Sequence, residues 1–476
     1  MSQPITLPLW VVLVLAALAV WSSVALLLTP GIRWLLRRRL DRMVERIGAR
    51  LSIDLPPFKL TRRHVLIDRL VHDPKVQLAA DAHANLSGEP PQVVWARVER
   101  YAREIVPSFN VYLYFRIGYA LARGIARSLF RVRLGFADEA ALRGIPPRSS
   151  LVFVMNHRSN MDYLLVAFLA AEHVALSYAV GEWARVWPLQ QLVRAMGAYF
   201  VRRDSRDALY RTVLARYVHM ATEAGVTQAV FPEGGLTKDG RLGAPKLGLF
   251  DYMLKGFDER DGEARRDLYF IPVAINYDRV LEDRTQLRKL EPARARVGRW
   301  RALGTLCGFI GSSLWLMLRG RWYRYGYACV NFGTPLSMRA WCRGRGLHFP
   351  ALDAAARQRE VAAVATQLMD AIGAIVPVLP VALVASVLLD SPREGWSELE
   401  LKAAMLARLR SLADAGARHY IPRGDLEYAF GVGLRMLVLR RLVSEEAGVY
   451  RPAPEGRTVL AYYANSIAHL PAAAAS

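Results

Sequence analysis

The sequence predicts an α/β fold: a largely parallel sheet flanked by helices, with an N-terminal membrane helix before it and a C-terminal helical extension after it. Three observations carry this reading. Between Ser149 and Asp278, short apolar runs alternate with helical patterns, as strands joined by crossover helices do. Leu7 to Leu28 holds no charged residue. Beyond Ala351, apolar residues recur at helical spacing.

Composition sets the frame. The chain has 476 residues, 53% of them hydrophobic, which excludes a disordered protein and implies a sizeable core. Lys and Arg number 64 against 42 Asp and Glu, a net charge of +22. That excess predicts anionic partners: nucleic acid, anionic lipid or phosphorylated substrates. Cys307, Cys329 and Cys342 form no CxxC pair, so free thiols in a reducing compartment are expected.

The N-terminal run, "LPLWVVLVLAALAVWSSVALLL", is long enough to span a hydrocarbon core of roughly 30 Å. Pro30 and Gly31 end it. Arg33, Arg37, Arg38 and Arg39 follow, and no Lys or Arg precedes it. The charge bias puts the body of the protein on the cytoplasmic side of a bacterial inner membrane. A cleaved signal peptide and a buried soluble helix are the competing readings.

Residues 31–140 are predicted as a helical, partly membrane-associated region. Within it, Asn110 to Phe136 mixes aromatic residues with Arg123, Arg127, Arg131 and Arg133. It reads either as an amphipathic helix on a headgroup layer or as a core helix with snorkelling arginines. Residues 141–345 form the α/β domain. Its strand-like runs are "SLVFVMNH", "ALSYAV", "AYFVRR", "TQAVFPEGG" and "FIPVAINYD". "YLLVAFLAAEH", "LQQLVRAMG" and "DALYRTVLARYVHMATEAG" are the helices between them. Ala302 to Leu318 is apolar, with basic residues on both sides. A crossing helix has asymmetric flanks, so an interfacial or buried helix is expected there. Residues 350–476 are predicted helical, and Pro377 and Pro380 argue against a membrane span in that part.

The chemistry concentrates at strand ends. In "NHRSNMD", His157 and Asp162 lie five residues apart, just past a predicted strand. A carboxylate on one ring nitrogen fixes the tautomer and leaves the other nitrogen to take a proton. Alone, the pair also fits a histidine capping a turn. Ser159 has no GxSxG elbow around it, so the simplest chemistry is a base that activates a substrate hydroxyl. Arg202 and Arg203 end another strand, and a guanidinium fork suits a phosphate. "FPEGGLTKDGRLGAPK" places Gly234 and Gly235 on a loop with Lys238, Arg241 and Lys246. Its glycines let backbone N–H groups approach an anion. The loop lacks the GK[ST] of a nucleotide-binding P-loop. Glu233 reads as a residue that orders the loop or holds an arginine. No metal or cofactor is implied.

The order of these blocks resembles the glycerolipid acyltransferase superfamily: "NHRSNMDY", then G-x-x-F-x-R-R, then F-P-E-G-G, then "IPVAINYDRV", within about 120 residues. "NHRSNMDY", "FPEGG…GR…PK" and the tail "YYANSIAHL" are similar to its glycerol-3-phosphate and dihydroxyacetone-phosphate acyltransferase branch. The resemblance implies an acyltransferase domain with His157 as general base and Asp162 as its orienter. It places Arg158 and Ser159 in the same block. Arg203, with Arg202 beside it, would hold the acceptor phosphate; Glu233 and Gly234 would belong to the phosphate-binding block, and Pro272 would mark the fourth. One departure stands out. Many members carry Arg-Ser after the glycines, where this chain has Leu236-Thr237; Lys238 or Arg241 is then expected to supply the charge.

The implied activity is glycerol-3-phosphate 1-O-acylation from acyl-ACP or acyl-CoA, at an anionic phospholipid membrane. Acylation of dihydroxyacetone phosphate or lysophosphatidate by the same fold is the alternative. A non-catalytic membrane-anchored binding protein is the alternative of another class. A nucleic-acid partner is not expected, because only the charge suggests one and no helix-turn-helix, RNP or zinc signature accompanies it.

Overall fold

Strand β2 shows how the sequence builds the sheet. In "SLVFVM", Ser150–Met155, successive side chains point to opposite faces. Phe153 and Met155 enter one apolar core; Val152 and Val154 enter another. The same split separates Ile271, Val273 and Ile275 from Phe270 and Ala274 along β6, Leu268–Tyr277. Strands buried on both faces read as unbroken apolar runs, which is why these two were legible.

The computed structural model describes residues 56–170, 175–181, 189–202, 205–259, 266–288, 290, 325–391, 393 and 395–471. The apolar runs Leu7 to Leu28 and Ala302 to Leu318, together with Cys307 and Arg203, lie outside the described residues. Among the described residues, no helix is long and apolar enough to cross a membrane. Cys329 and Cys342 are buried and free.

The other strands are β1 Arg131–Ala137, β3 Ser177–Val180, β4 Tyr199–Phe200, β5 Gln228–Val230, β7 Tyr327–Phe332 and β8 Leu336–Ser337. They form an eight-stranded sheet in the order β1-β7-β6-β2-β5-β3-β4, with β8 beside β6. Pairing is parallel except where β6 meets β7 and β8. Because β2, β3, β4 and β5 run the same way, their carboxyl ends share one edge. The segments after β2, β4 and β5 carry His157, Arg202 and Glu233 to that edge.

Helices cover both faces. On one lie α1 Arg63–Val71, α2 Pro74–Ser87 and α3 Pro91–Ile105. The helices that follow them in sequence are divided between the faces: α4 Tyr119–Leu129, α5 Asp162–Ala170, α6 Leu189–Ala195, α7 Ala208–Glu223, α8 Gly248–Leu254 and α9 Ala354–Ala374. Val213 of α7, Phe250 of α8 and Leu368 of α9 share one core with Val94 and Val98 of α3. Ala126 of α4 and Leu165 of α5 join the opposite core. That core extends into α10 Pro380–Asp390, α11 Glu398–Asp414, α12 Leu426–Leu439 and α13 Arg457–Ala464. Pro380 opens α10, where its missing N–H costs nothing. The helix then stays buried as far as Leu388.

Three elements differ from expectation. The helix predicted over Asn110 to Phe136 ends at Leu129, and β1 begins at Arg131 as the sheet edge. "RVRLGF" has period-two alternation that its arginines obscure. Gly135 sits so close to β7 that a Cβ would lie 2.4 Å from Asn331 Oδ1. Strand β7, "YACVNF", escaped notice because it adjoins the long apolar run. The C-terminal region is helical but also holds a small antiparallel sheet: β9 Trp396–Ser397, β10 Val443–Glu446 and β11 Val449–Pro452. Its hairpin turns on Ala447-Gly448, both at positive φ, the two-residue geometry that matches strand twist.

Candidate active site

His157 follows β2 by two residues, and Asp162 is the first residue of α5. The turn between them folds the carboxylate back onto the ring. Asp162 Oδ2 accepts from His157 Nδ1 at 2.9 Å, from Arg158 N at 2.7 Å and from Ser159 N at 3.0 Å. Its Oδ1 accepts from the Tyr277 hydroxyl at 2.5 Å. The two side chains are 2% and 0% exposed. An ionised carboxylate only accepts, so His157 Nδ1 carries the proton and Nε2 keeps its lone pair. The ring stacks on Phe231 with centroids 4.0 Å apart, and Tyr163 meets it edge-on. Burial beside Asp162 pushes the Tyr277 phenol well up, so it stays a donor.

The backbone N–H groups of this turn are occupied. His157 N donates to Glu233 Oε1, Arg158 N and Ser159 N to Asp162, and Asn160 N to Glu282 Oε1. Met161 N bonds Ser159 Oγ, and Asp162 N bonds the Ser159 carbonyl. The N–H groups from His157 to Asp162 therefore already have partners and are not open to a substrate oxyanion. Ser159 itself donates its hydroxyl to Glu282 Oε2 at 2.8 Å. It orders the turn through Glu282, whose carboxyl burial pushes up against the opposing pull of these donors.

Glu233 spans the other side. Its Oε1 takes the His157 N–H and its Oε2 takes the Gly243 N–H, each at 2.8 Å. It thus orders the loop, and among the described residues no arginine pairs with it. Burial raises its carboxyl pKa, while the two N–H groups oppose the shift. Thr237 N donates to the His157 carbonyl, a second tie between loop and turn.

His157 lines a cavity of about 300 Å³. Val180, Val201, Leu214, Leu249 and Phe250 give it an apolar wall; Ser205, Arg202, Arg211 and Lys246 give it a polar one. Gly234 also lines it, at φ +69°, with Lys246 lying across it: a Cβ there would stand 2.7 Å from Lys246 Cδ. Gly235 follows on the same loop without reaching the cavity wall.

The expected cations separate. Arg202 touches the cavity, but its Nε and Nη2 are bonded to Glu104 at 2.9 and 2.7 Å. Its guanidinium lies 4.9 Å from both the Tyr101 and Tyr210 rings. Arg203 lies outside the described residues. Lys238 and Arg241 are exposed and do not line the cavity. Arg158 is buried and faces elsewhere: it donates to the Gly240 carbonyl at 2.8 Å and lies 5.3 Å from the Tyr462 ring. Asn465 donates to the Asp239 carbonyl at 2.9 Å. The C-terminal tail therefore packs directly behind the loop that supports His157. Asp258, Glu259 and His348 bring ligand-type atoms within 4.8 Å of one another, but none of them lines the cavity.

Sequence reading passed over Arg211, Ser205, Glu104, Glu282 and Tyr277. Tyr277 did carry a signal, as a polar residue at the end of a predicted strand. Arg211 carried none, since an arginine in the first turns of an amphipathic helix reads as a solvated face.

Residues 140–276 match the acyltransferase family model, and residues 313–476 match that of the glycerol-3-phosphate acyltransferase C-terminal region. The chain thus carries an acyltransferase-family domain followed by a region like the C-terminal part of glycerol-3-phosphate acyltransferases. The glycerol-3-phosphate acyltransferase of Xanthomonas campestris pv. campestris is 26% identical over 458 residues, covering 91% of this chain and 48% of that protein. The protein of the same name from Pseudomonas putida is 27% identical over 429 residues, covering 86% and 49%. The chain thus spans about half the length of the curated relatives it matches. Among solved structures, the 1-acyl-sn-glycerophosphate acyltransferase of Thermotoga maritima aligns over 54% of this chain and 78% of its own, at 17% identity. Its TM-score of 0.31 is too low to bear on the reading.

Proposed function

We propose that this chain transfers a fatty acyl group from an acyl thioester to the primary hydroxyl of glycerol 3-phosphate, at a membrane surface. The observation that carries the proposal is the His157–Asp162 hydrogen bond on the wall of a cavity that is cationic at one part and apolar at another. His157 Nε2 takes the hydroxyl proton as that oxygen attacks the thioester carbonyl. The new C–O bond forms, the C–S bond breaks, and the imidazolium returns its proton to the leaving thiolate. Asp162 stabilises the imidazolium while it exists. No covalent enzyme intermediate is needed.

Acyl-CoA and the acidic acyl carrier protein are the donors in this reading, and the net charge of +22 attracts either one. The charge-free run Leu7 to Leu28 and the arginines after it tether the body to the cytoplasmic face of a bacterial inner membrane.

A thioester-cleavage assay in liposomes tests the function. Thiol release is expected to require glycerol 3-phosphate and to be faster with it than with dihydroxyacetone phosphate or lysophosphatidate. Release that no acceptor stimulates would refute acyl transfer, and a preference for lysophosphatidate would reassign the acceptor.

Gly234 offers a second test. Gly234→Ala places a Cβ at positive φ and against Lys246. A stability loss of about 1 kcal/mol is expected from the backbone alone. The displaced lysine is expected to raise the acceptor KM more than it lowers kcat. Steady-state kinetics with thermal unfolding separates the two effects; an unchanged KM would remove Lys246 from acceptor binding.

A further inference from the structure

We propose that Arg211 is a phosphate anchor of the acceptor site, an inference that rests on the acyl-transfer reading of the His157 cavity. The geometry of the described cations leads to it. Lys238 and Arg241, the loop cations expected to supply charge, do not line the cavity. Arg202 lines it but is held by both oxygens of Glu104 and flanked by two tyrosine rings. Recruiting Arg202 to a substrate would break a bidentate pair with a carboxylate that is only 14% exposed.

Arg211 has neither restraint. It is exposed, it lines the cavity, and among the described residues its guanidinium makes no ion pair. It sits in the first turns of α7, where the helix field favours an anion. Ser205, just ahead of that helix, contributes a hydroxyl to the same wall, and Lys246 approaches it from the loop. Across the mouth, Tyr252 of α8 also lines the cavity, and the Arg211 charge opposes the upward push that burial gives its phenol. A free guanidinium fork, an ammonium and a hydroxyl suit the three oxygens of a phosphate monoester. The apolar wall of Leu214, Leu249 and Phe250 is left for the acyl chain. The acceptor class is therefore a small dianionic phosphate ester carrying a free hydroxyl.

The test uses the full chain in detergent, comparing wild type, Arg211→Ala and Arg211→Lys. Glycerol 3-phosphate binding is measured by calorimetry, and turnover with glycerol 3-phosphate and with glycerol. Arg211→Ala is expected to weaken glycerol 3-phosphate binding and raise its KM by at least ~10-fold. The donor KM should stay within about twofold, and the preference for glycerol 3-phosphate over glycerol should shrink. Arg211→Lys should recover part of the loss. Wild-type affinity in Arg211→Ala, or equal rises in donor and acceptor KM, would overturn the assignment while leaving the acyl-transfer reading intact. Unchanged far-UV circular dichroism shows that the variant is folded, and a misfolded Arg211→Ala leaves Arg211→Lys to decide: wild-type KM with a changed fork would count against the guanidinium. A wild-type protein that binds no glycerol 3-phosphate yet acylates another alcohol would overturn both.

Discussion

His157→Ala is expected to lower the rate of acceptor-dependent acyl transfer by at least ~10²-fold, with the protein still folded. The size of the effect follows from what the imidazole supplies. None of the three carboxylates touching this turn can replace Nε2 as the base: Asp162 is saturated by donors, Glu233 is held by two backbone N–H groups, and Glu282 is held by Ser159 and Asn160. Removing the ring costs one hydrogen bond and the stacking on Phe231. Asp162 keeps its bonds from Arg158 N, Ser159 N and Tyr277, so the turn persists. The measurement is thiol release under saturating donor and acceptor, beside a thermal melt. A folded variant turning over at the wild-type rate would remove His157 from the chemistry.

Asp162 gives the second large effect, and two substitutions separate its roles. In Asp162→Asn, the amide oxygen can take the Oδ2 position and its three donors. The amide NH₂ then faces the Tyr277 hydroxyl, which is able to accept. Geometry survives and the charge is lost. Turnover should fall ~10²-fold or more, because the imidazolium loses its counter-charge, with little change in stability. In Asp162→Ala, Arg158 N, Ser159 N and the Tyr277 hydroxyl lose their acceptor inside the protein. Each orphaned group costs about 1–3 kcal/mol, enough together to threaten the marginal stability of a domain. Chemical unfolding should therefore rank the variants Asp162, Asn, Ala, while turnover already collapses at Asn. An Asp162→Asn protein with wild-type kcat would reduce the aspartate to a structural role.

The contrast between these variants reflects where their contacts come from. The His157 to Asp162 bond closes over five residues, so a strand end followed by a helix start was enough to reveal it. The same holds for β2 and β6, whose unbroken apolar runs announce burial on both faces, and for Gly234, whose loop is punctuated by its own glycines. The hairpin β10–β11 was just as local, with Ala447-Gly448 at its tip, but its charged strands hid the alternation.

What pairs Arg202 with Glu104, 98 residues away, is another matter, as is the bond from Tyr277 to Asp162 across 115 residues. Which cations reach the cavity, and which are neutralised before they do, depends on how α3, α7 and the loop after β5 pack around it. The tail contact from Asn465 to Asp239 spans 226 residues and belongs to the same class. Short-range patterning determined most of the element types, the order of the strands' polar ends and the pairing of His157 with Asp162, because backbone periodicity and turn chemistry act over a few residues. Only the tertiary structure decided that Arg202 is spoken for, that Arg211 lines the cavity and that the N–H group of His157 is taken by Glu233. Charge pairing and burial are set by distance in space, and one sequence read along its length does not contain that distance.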